Sequence, residues 1–232
     1  AGKGDDFRSL VREIKRRHSE IIEKCGLTED AISTFQKELE RLLTGVSMLS
    51  ELSPRTRDAL VALGECMSAS LFTGVLVKRG VDARAMDAWD LGMITDERYG
   101  CASPLDNCHE EMARKIAAVE NGVTPVITGF IGHTSNGEVT SLGRGGSDFS
   151  AALFGAAAKV REIQIWTDVS GILRADPRVV PGASVLQAIR FEEAAELAYF
   201  GARVLHPRTI EPARRAGIPV RVLGTFQVDP DG

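Results

Sequence analysis

The stretch Leu142-Gly143-Arg144-Gly145-Gly146-Ser147-Asp148, continuing as FSAALFGAAAK at 149–159 and EIQIWTD at 162–168, decides the fold. The glycines predict a loop whose backbone N–H groups can approach another group closely. The small residues Ala151, Ala152, Gly155, Ala156 and Ala157 predict a helix packed tightly on a sheet. EIQIWTD alternates in polarity, as a strand does. Loop, helix and strand in that order make one α/β unit.

Working outward, VSGILRADPR (169–178) predicts a hairpin, and VLQAIRFEEAAELAYFGA (185–202) a strand-like piece followed by a helix. HPRTIEPARRAG predicts a further helix with Pro207 near its start, and IPVRVLG a last strand. Upstream, VTPVITGF (123–130) reads as a buried strand ending at Gly129. Polar Gly132 to Glu138 and extended Val139-Thr140-Ser141 then predict a hairpin. Val81 to Met86 reads as a strand. Ser53-Pro54 pairs an N-cap with proline at the first helical position, so a helix is expected to about Leu63. Gly64 is expected to break it, with a second helix from Glu65 to Lys78 that Arg79-Gly80 ends. The first fifty residues carry apolar residues at helical spacing: Phe7, Leu10, Val11, Ile14, Ile21 and Ile22, then Ile32, Phe35, Leu39, Leu42, Leu43, Val46 and Leu49. Cys25-Gly26 closes the first helix and Thr28-Glu29-Asp30 opens the second. This helical hairpin reads as a packed flank rather than a partner-binding coiled coil. The expected class is α/β: a largely parallel sheet sandwiched by helices, with an N-terminal helical hairpin.

Composition narrows the function. The 232 residues carry a net charge of −4, with 44% apolar and 26% charged residues. That is ordinary globular composition without a basic footprint, so nucleic acid is not an expected partner. No apolar run is expected to reach the roughly 18 residues that span a bilayer, so no membrane partner is expected. AGKGDDFRSL has no apolar segment of a signal peptide. Cys25, Cys66, Cys101 and Cys108 form no CxxC, and read as reduced thiols rather than metal ligands.

Several residues could carry chemistry. A helix start after Gly143–Gly146 aims a partial positive charge at an anion, and Arg144 adds a planar fork suited to carboxylate or phosphate. Asp148 could orient a lysine or Mg²⁺. Ser147 could equally be a plain N-cap, and Gly145-Gly146 a plain tight turn. Thr167-Asp168 follows a strand directly, at the edge where open α/β sheets bind ligands, or starts a turn. Asp176-Pro177-Arg178 is a turn by composition, with Arg178 placed to meet phosphate at the same edge. Glu65 alone reads as a surface acid.

The segments TRDALVALGECMS, VITGFIG, TSLGRGGSD, IWTDVSGIL, ADPRVV, FEEAAELAYFGARVLHP and IPVRV stand in the order and approximate spacing of one family. The chain resembles the aspartate kinases of the amino-acid-kinase superfamily over nearly its whole length. The helical hairpin and AELAYFGARVLHP are similar to the plant-type monofunctional enzymes. The resemblance implies an aspartate kinase, which phosphorylates the side-chain carboxylate of L-aspartate with ATP and Mg²⁺. That reaction opens the biosynthesis of lysine, threonine and methionine.

The resemblance also implies roles. Glu65 would receive the α-amino group of aspartate, Arg144 would grip a carboxylate, and Ser147 with the Gly145-Gly146 backbone would complete that pocket. Asp148 would orient a catalytic lysine. Thr167, Asp168 and Leu173 would line the nucleotide, and Arg178 would reach its phosphates. Arg203-Val204 stands where many relatives carry Lys-Val, so its nucleotide contact changes geometry; His206 in the same turn reads as structural. Residues 1–232 are expected to be one catalytic domain lacking the family's first KFGGTS-like phosphate-loop strand and its C-terminal ACT pair, and so nearly inactive alone. The resemblance further implies a homo-oligomer, and a cytoplasmic or, in a plant or alga, plastid location. A sister enzyme acting on another acidic amino acid and a non-catalytic subunit are the competing readings.

Overall fold

The computed structural model describes residues 4–168, 171–175, 179–180, 182–199 and 207–226. The chain divides into two compact units, Ala1–Arg144 and Gly145–Gly232.

In the first unit, helices α1 (Gly4–Cys25) and α2 (Asp30–Leu49) form the expected hairpin. Its apolar face meets α3 (Pro54–Lys78): Ile22, Ile32, Leu39, Leu63, Met67 and Leu71 form one buried cluster. Fully burying a side chain such as Ile32 contributes about 1.5–3 kcal/mol, so α3 is what holds the hairpin. The Lys78 Nζ at the end of α3 donates to the Cys25 carbonyl (2.8 Å) and the Gly26 carbonyl (3.2 Å). A cation at those terminal carbonyls complements the dipole of α1. The start of α3 is as expected, with the Ser53 Oγ accepting from the Thr56 N–H at 3.1 Å.

Two short sheets complete this unit. β1 (Ala83–Met86) pairs in parallel with β3 (Thr124–Ile127). β2 (Ile94–Thr95) pairs in parallel with β4 (Ile131–Thr134), which pairs antiparallel with β5 (Val139–Ser141). Helix α4 (Cys108–Ala117) lies between β2 and β3 in sequence. The hairpin is therefore β4–β5, and its first strand runs on from Ile131 to Thr134, into the Gly132 to Glu138 stretch expected to be turn. β3 is half-buried rather than buried, with Thr124 exposed.

In the second unit, α5 (Gly146–Ala157) leads into β6 (Ile163–Thr167), which alternates in burial as its sequence does. β7 (Val220–Gly224) pairs in parallel with β6, from Ile163 opposite Val220 to Thr167 opposite Gly224. Helices α6 (Phe191–Tyr199) and α7 (Pro207–Ala216) precede β7. Ala152, Ile163, Ala213 and Ile218 form the core, so α5 and α7 cover the strands. A Cβ on Gly155 would stand 2.7 Å from the Ile163 Cγ1, which explains the glycine: helix and strand touch there. Leu173 bridges antiparallel to Val185, so this segment pairs with the strand-like piece that follows rather than within the hairpin expected at 169–178.

Two expectations change. α3 is one continuous helix through Gly64. Glycine costs about 1 kcal/mol in a helix interior. Buried Ala62, Leu63, Cys66 and Met67 on both sides outweigh it. By length and composition, this same helix is also apolar enough to cross a membrane, contrary to the sequence reading. It carries the buried, hydrogen-bonded Asp58 and packs against α2, which marks a core helix.

Candidate functional site

Glu65 sits mid-helix on α3, half-buried, and burial pushes its carboxyl above the usual range. It makes no hydrogen bond or ion pair among the described residues. The neighbouring Cys66 is buried, and its thiol is pushed up to about 12, first by burial and then by the adjacent Asp87. Asp87, just past β1, is itself raised by burial and by Asp90, and lies 3.7 Å from the Cys66 Sγ. Two carboxyls with raised proton affinity therefore flank Cys66, an environment that favours an incoming cation.

Arg144 leaves a turn that the first unit pins firmly. Asp58 on α3 is 2% exposed. Its Oδ2 accepts from the Gly100 N–H and the Ser141 N–H, both at 2.8 Å, and its Oδ1 from the Ser141 Oγ at 2.9 Å. The Leu142 N–H then donates to the Phe130 carbonyl at 2.8 Å. Gly143 has φ 76°, and a Cβ there would meet the Gly100 carbonyl oxygen at 2.9 Å, so only glycine fits. Arg144 itself is exposed and unpaired among the described residues.

In the second unit, Gly145 caps α5 in the left-handed region (φ 69°). Gly146 is buried at its first position, Ser147 is exposed and Asp148 half-buried. Burial raises the Asp148 carboxyl. Ser147 makes no side-chain cap hydrogen bond, since the N-cap is Gly145. The far end of α5 touches the start of β6, at Gly155 and Ile163. Thr167 and Asp168 stand at the opposite end of β6, with the Thr167 Oγ1 donating to the Asp168 Oδ1 at 3.0 Å. Ser147 and Asp148 thus stand at the start of α5, and Thr167 and Asp168 at the end of β6, within the same unit. Leu173 lies a few residues beyond, half-buried. Arg178, Arg203, Val204 and His206 lie outside the described residues.

Sequence reasoning passed over three features. Asp58 reads as a surface acid near a helix start. Asp87 carries no motif. Phe130 adopts φ 68°, a strained conformation for a large side chain, and no sequence signal marks it. Among the described residues, no group of three or more His, Cys, Asp or Glu could hold a metal ion.

A glycine loop opening a helix, followed by a strand that ends in Thr-Asp, makes an α/β unit, and the chain belongs to the amino acid kinase family, whose model matches residues 5–224. Within that family it is similar to aspartokinases. It is 41% identical to Aspartokinase 1, chloroplastic, of Arabidopsis thaliana over 92% of this chain and 38% of that protein. It is 43% identical to the Lysine-sensitive aspartokinase 3 of Escherichia coli over 82% of this chain and 43% of that protein. Among solved structures, E. coli aspartokinase III in complex with aspartate and ADP superposes with a TM-score of 0.79. The identity there is 38%, covering 97% of this chain and 50% of that one. The chain spans roughly two fifths of the length of these curated relatives.

Proposed function

We propose that the protein, in its full natural chain, transfers the γ-phosphoryl group of ATP to the side-chain carboxylate of L-aspartate. The products are 4-phospho-L-aspartate and ADP, at the head of lysine, threonine and methionine biosynthesis. One observation carries the reading: the first unit holds a half-buried acid, Glu65, and an exposed cation on a pinned turn, Arg144, each unpaired among the described residues. A zwitterion with an ammonium at one end and a carboxylate at the other satisfies both. The named ligands of the E. coli relative, aspartate and ADP, support the same reading.

In this mechanism a β-carboxylate oxygen attacks the γ-phosphorus in line. A new C–O–P bond forms as the bond to the β,γ-bridging oxygen breaks, and ADP leaves with that electron pair. No proton moves, so the protein's work is positioning and charge neutralisation. Glu65 receives the ammonium and Arg144 the carboxylate, with Ser147 and the Gly145-Gly146 backbone assisting. Asp148 orients the lysine that neutralises the transferring group. Thr167, Asp168 and Leu173 receive the nucleotide; Arg178, Arg203 and Val204 belong to the same proposal. Further charge neutralisation at the phosphates would come from Mg²⁺ bound with ATP. Residues 1–232 belong, on this reading, to one catalytic domain. A blocked amino group, as in acetylglutamate, would leave Glu65 unpaired, which argues against that substrate.

The test is to trap acyl phosphate as its hydroxamate, using ATP, Mg²⁺ and a panel of aspartate, glutamate and N-acetylglutamate. Product with aspartate alone is expected. Product with N-acetylglutamate alone, or none despite nucleotide binding, would overturn the assignment.

A further inference from the structure

Among the described residues, Asp58 is the one buried carboxylate that the proposed chemistry leaves unused. It is 2% exposed, and it accepts from three neutral donors: the Gly100 N–H, the Ser141 N–H and the Ser141 Oγ. A charge taken out of water is retained only where its lone pairs are satisfied. The position of these donors is the informative part. Ser141 is the last residue of β5, three before Arg144. Gly100 supplies the carbonyl against which Gly143 packs, with room for no Cβ. The Ala102 N–H also donates to the Ser141 carbonyl at 2.9 Å. One carboxylate therefore ties together the two strips of chain that shape the turn from which Arg144 departs.

Asp58 also shares a helix with Glu65. Seven residues are nearly two turns, so the two acids lie on the same face of α3, about 10 Å apart along its axis. α3 then does two things: it presents Glu65 directly, and through Asp58 it fixes the height of the turn carrying Arg144.

We propose that Asp58 is a positioning residue that sets the location of Arg144 relative to Glu65, and so the spacing between the sites for the two charged ends of the amino acid. The inference rests on the reading of Glu65 and Arg144 given above. Asp58 touches no substrate in this account; it acts through Ser141, Gly100 and the Gly143 turn.

The test compares Asp58→Ala, Asp58→Asn and Ser141→Ala in the full natural chain. Asparagine can reproduce the network: its oxygen accepts from the two N–H groups, and its amide donates to the Ser141 Oγ. Alanine leaves all three donors unpaired. The expected result is an aspartate KM raised about tenfold or more in Asp58→Ala, with the KM for ATP within about twofold and near-normal behaviour in Asp58→Asn. Where Asp58→Ala fails to fold, Ser141→Ala removes the Oγ–Oδ1 bond alone and is expected to raise only the aspartate KM, by about two- to fivefold. Unchanged constants in folded Asp58→Ala or Ser141→Ala, or both KM values rising together, would overturn the proposal. Hydrogen exchange of the 141–145 amides is measured in the same proteins. Faster exchange in Asp58→Ala and Ser141→Ala than in the parent supports the tether whether or not aspartate is the substrate, and unchanged exchange in both refutes it. Failure of the parent to phosphorylate aspartate would instead fall on the functional reading.

Discussion

Replacing Glu65 with glutamine should make the free protein more stable and a poorer binder of aspartate. Burial raises the Glu65 carboxyl above its ordinary 4.5, and no cation among the described residues offsets it. For such an acid, both folded and unfolded forms are protonated well below 4.5, and the full stability is present. As pH rises, the unfolded chain ionises first, and stability is lost until the folded carboxyl also ionises. At neutral pH the charge is therefore a standing penalty, and Glu65→Gln removes it. The gain should vanish below about pH 4.5. Binding moves the other way. A hydrogen bond to a charged group contributes about 1.5–3 kcal/mol. Its loss should weaken aspartate about ten- to hundredfold. Calorimetric titration with aspartate and thermal melts at pH 4 and 7.5, on the full natural chain, read both effects. Aspartate affinity within about twofold of the parent, or a melting point lowered at pH 7.5, would refute the reasoning.

Asp148→Asn should lower kcat about 100- to 1,000-fold with little change in either KM. In the parent, the raised Asp148 carboxyl predicts that activity is lost on acidification above the ordinary 3.8; a kcat–pH profile checks this. Gly64→Ala should stabilise the protein by about 0.5–1 kcal/mol in urea unfolding, because a Cβ there meets nothing and α3 continues through it. At pH 8 an alkylating reagent should modify exposed Cys101 readily. Cys66, whose thiol is pushed up to about 12, should resist until the protein unfolds, as mass spectrometry of the labelled peptides would show.

The local punctuation of this chain was legible because it is local. Ser53-Pro54, Cys25-Gly26 and Arg79-Gly80 mark helix ends by capping chemistry that needs no tertiary information. The Gly145-Gly146 start of α5 and the alternation of β6 read equally well. Gly64 misled, because its cost is local while the burial that overrides it comes from elsewhere: α2 covers Leu63 and Met67, and Ile131 of β4 covers Ala62 and Cys66. α4 went unread: CHEEMARKIA offers Cys108, Met112 and Ile116 as a thin apolar stripe among charges. β2 spans two residues, too few for a period.

At the candidate site, LGRGGSD was legible as a glycine loop opening a helix and Thr167-Asp168 as a strand end, whereas the roles proposed there came from the family resemblance. Asp58 was invisible for a physical reason. Its partners lie 42 and 83 residues away, and an aspartate near a charged helix start carries no sequence sign of burial. Asp87 and the strained Phe130 are hidden in the same way, since each depends on what the folded chain brings alongside.

The central claim is that the β-carboxylate of aspartate becomes the bridging oxygen of an acyl phosphate. The most direct measurement is ³¹P NMR of the product formed in the full natural chain from ATP and aspartate labelled with ¹⁸O in one carboxylate. The account predicts an isotope-shifted acyl-phosphate signal when the β-carboxylate carries the label, and an unshifted signal when the α-carboxylate does. A shift with the α-label, or no acyl-phosphate signal with either, would contradict it.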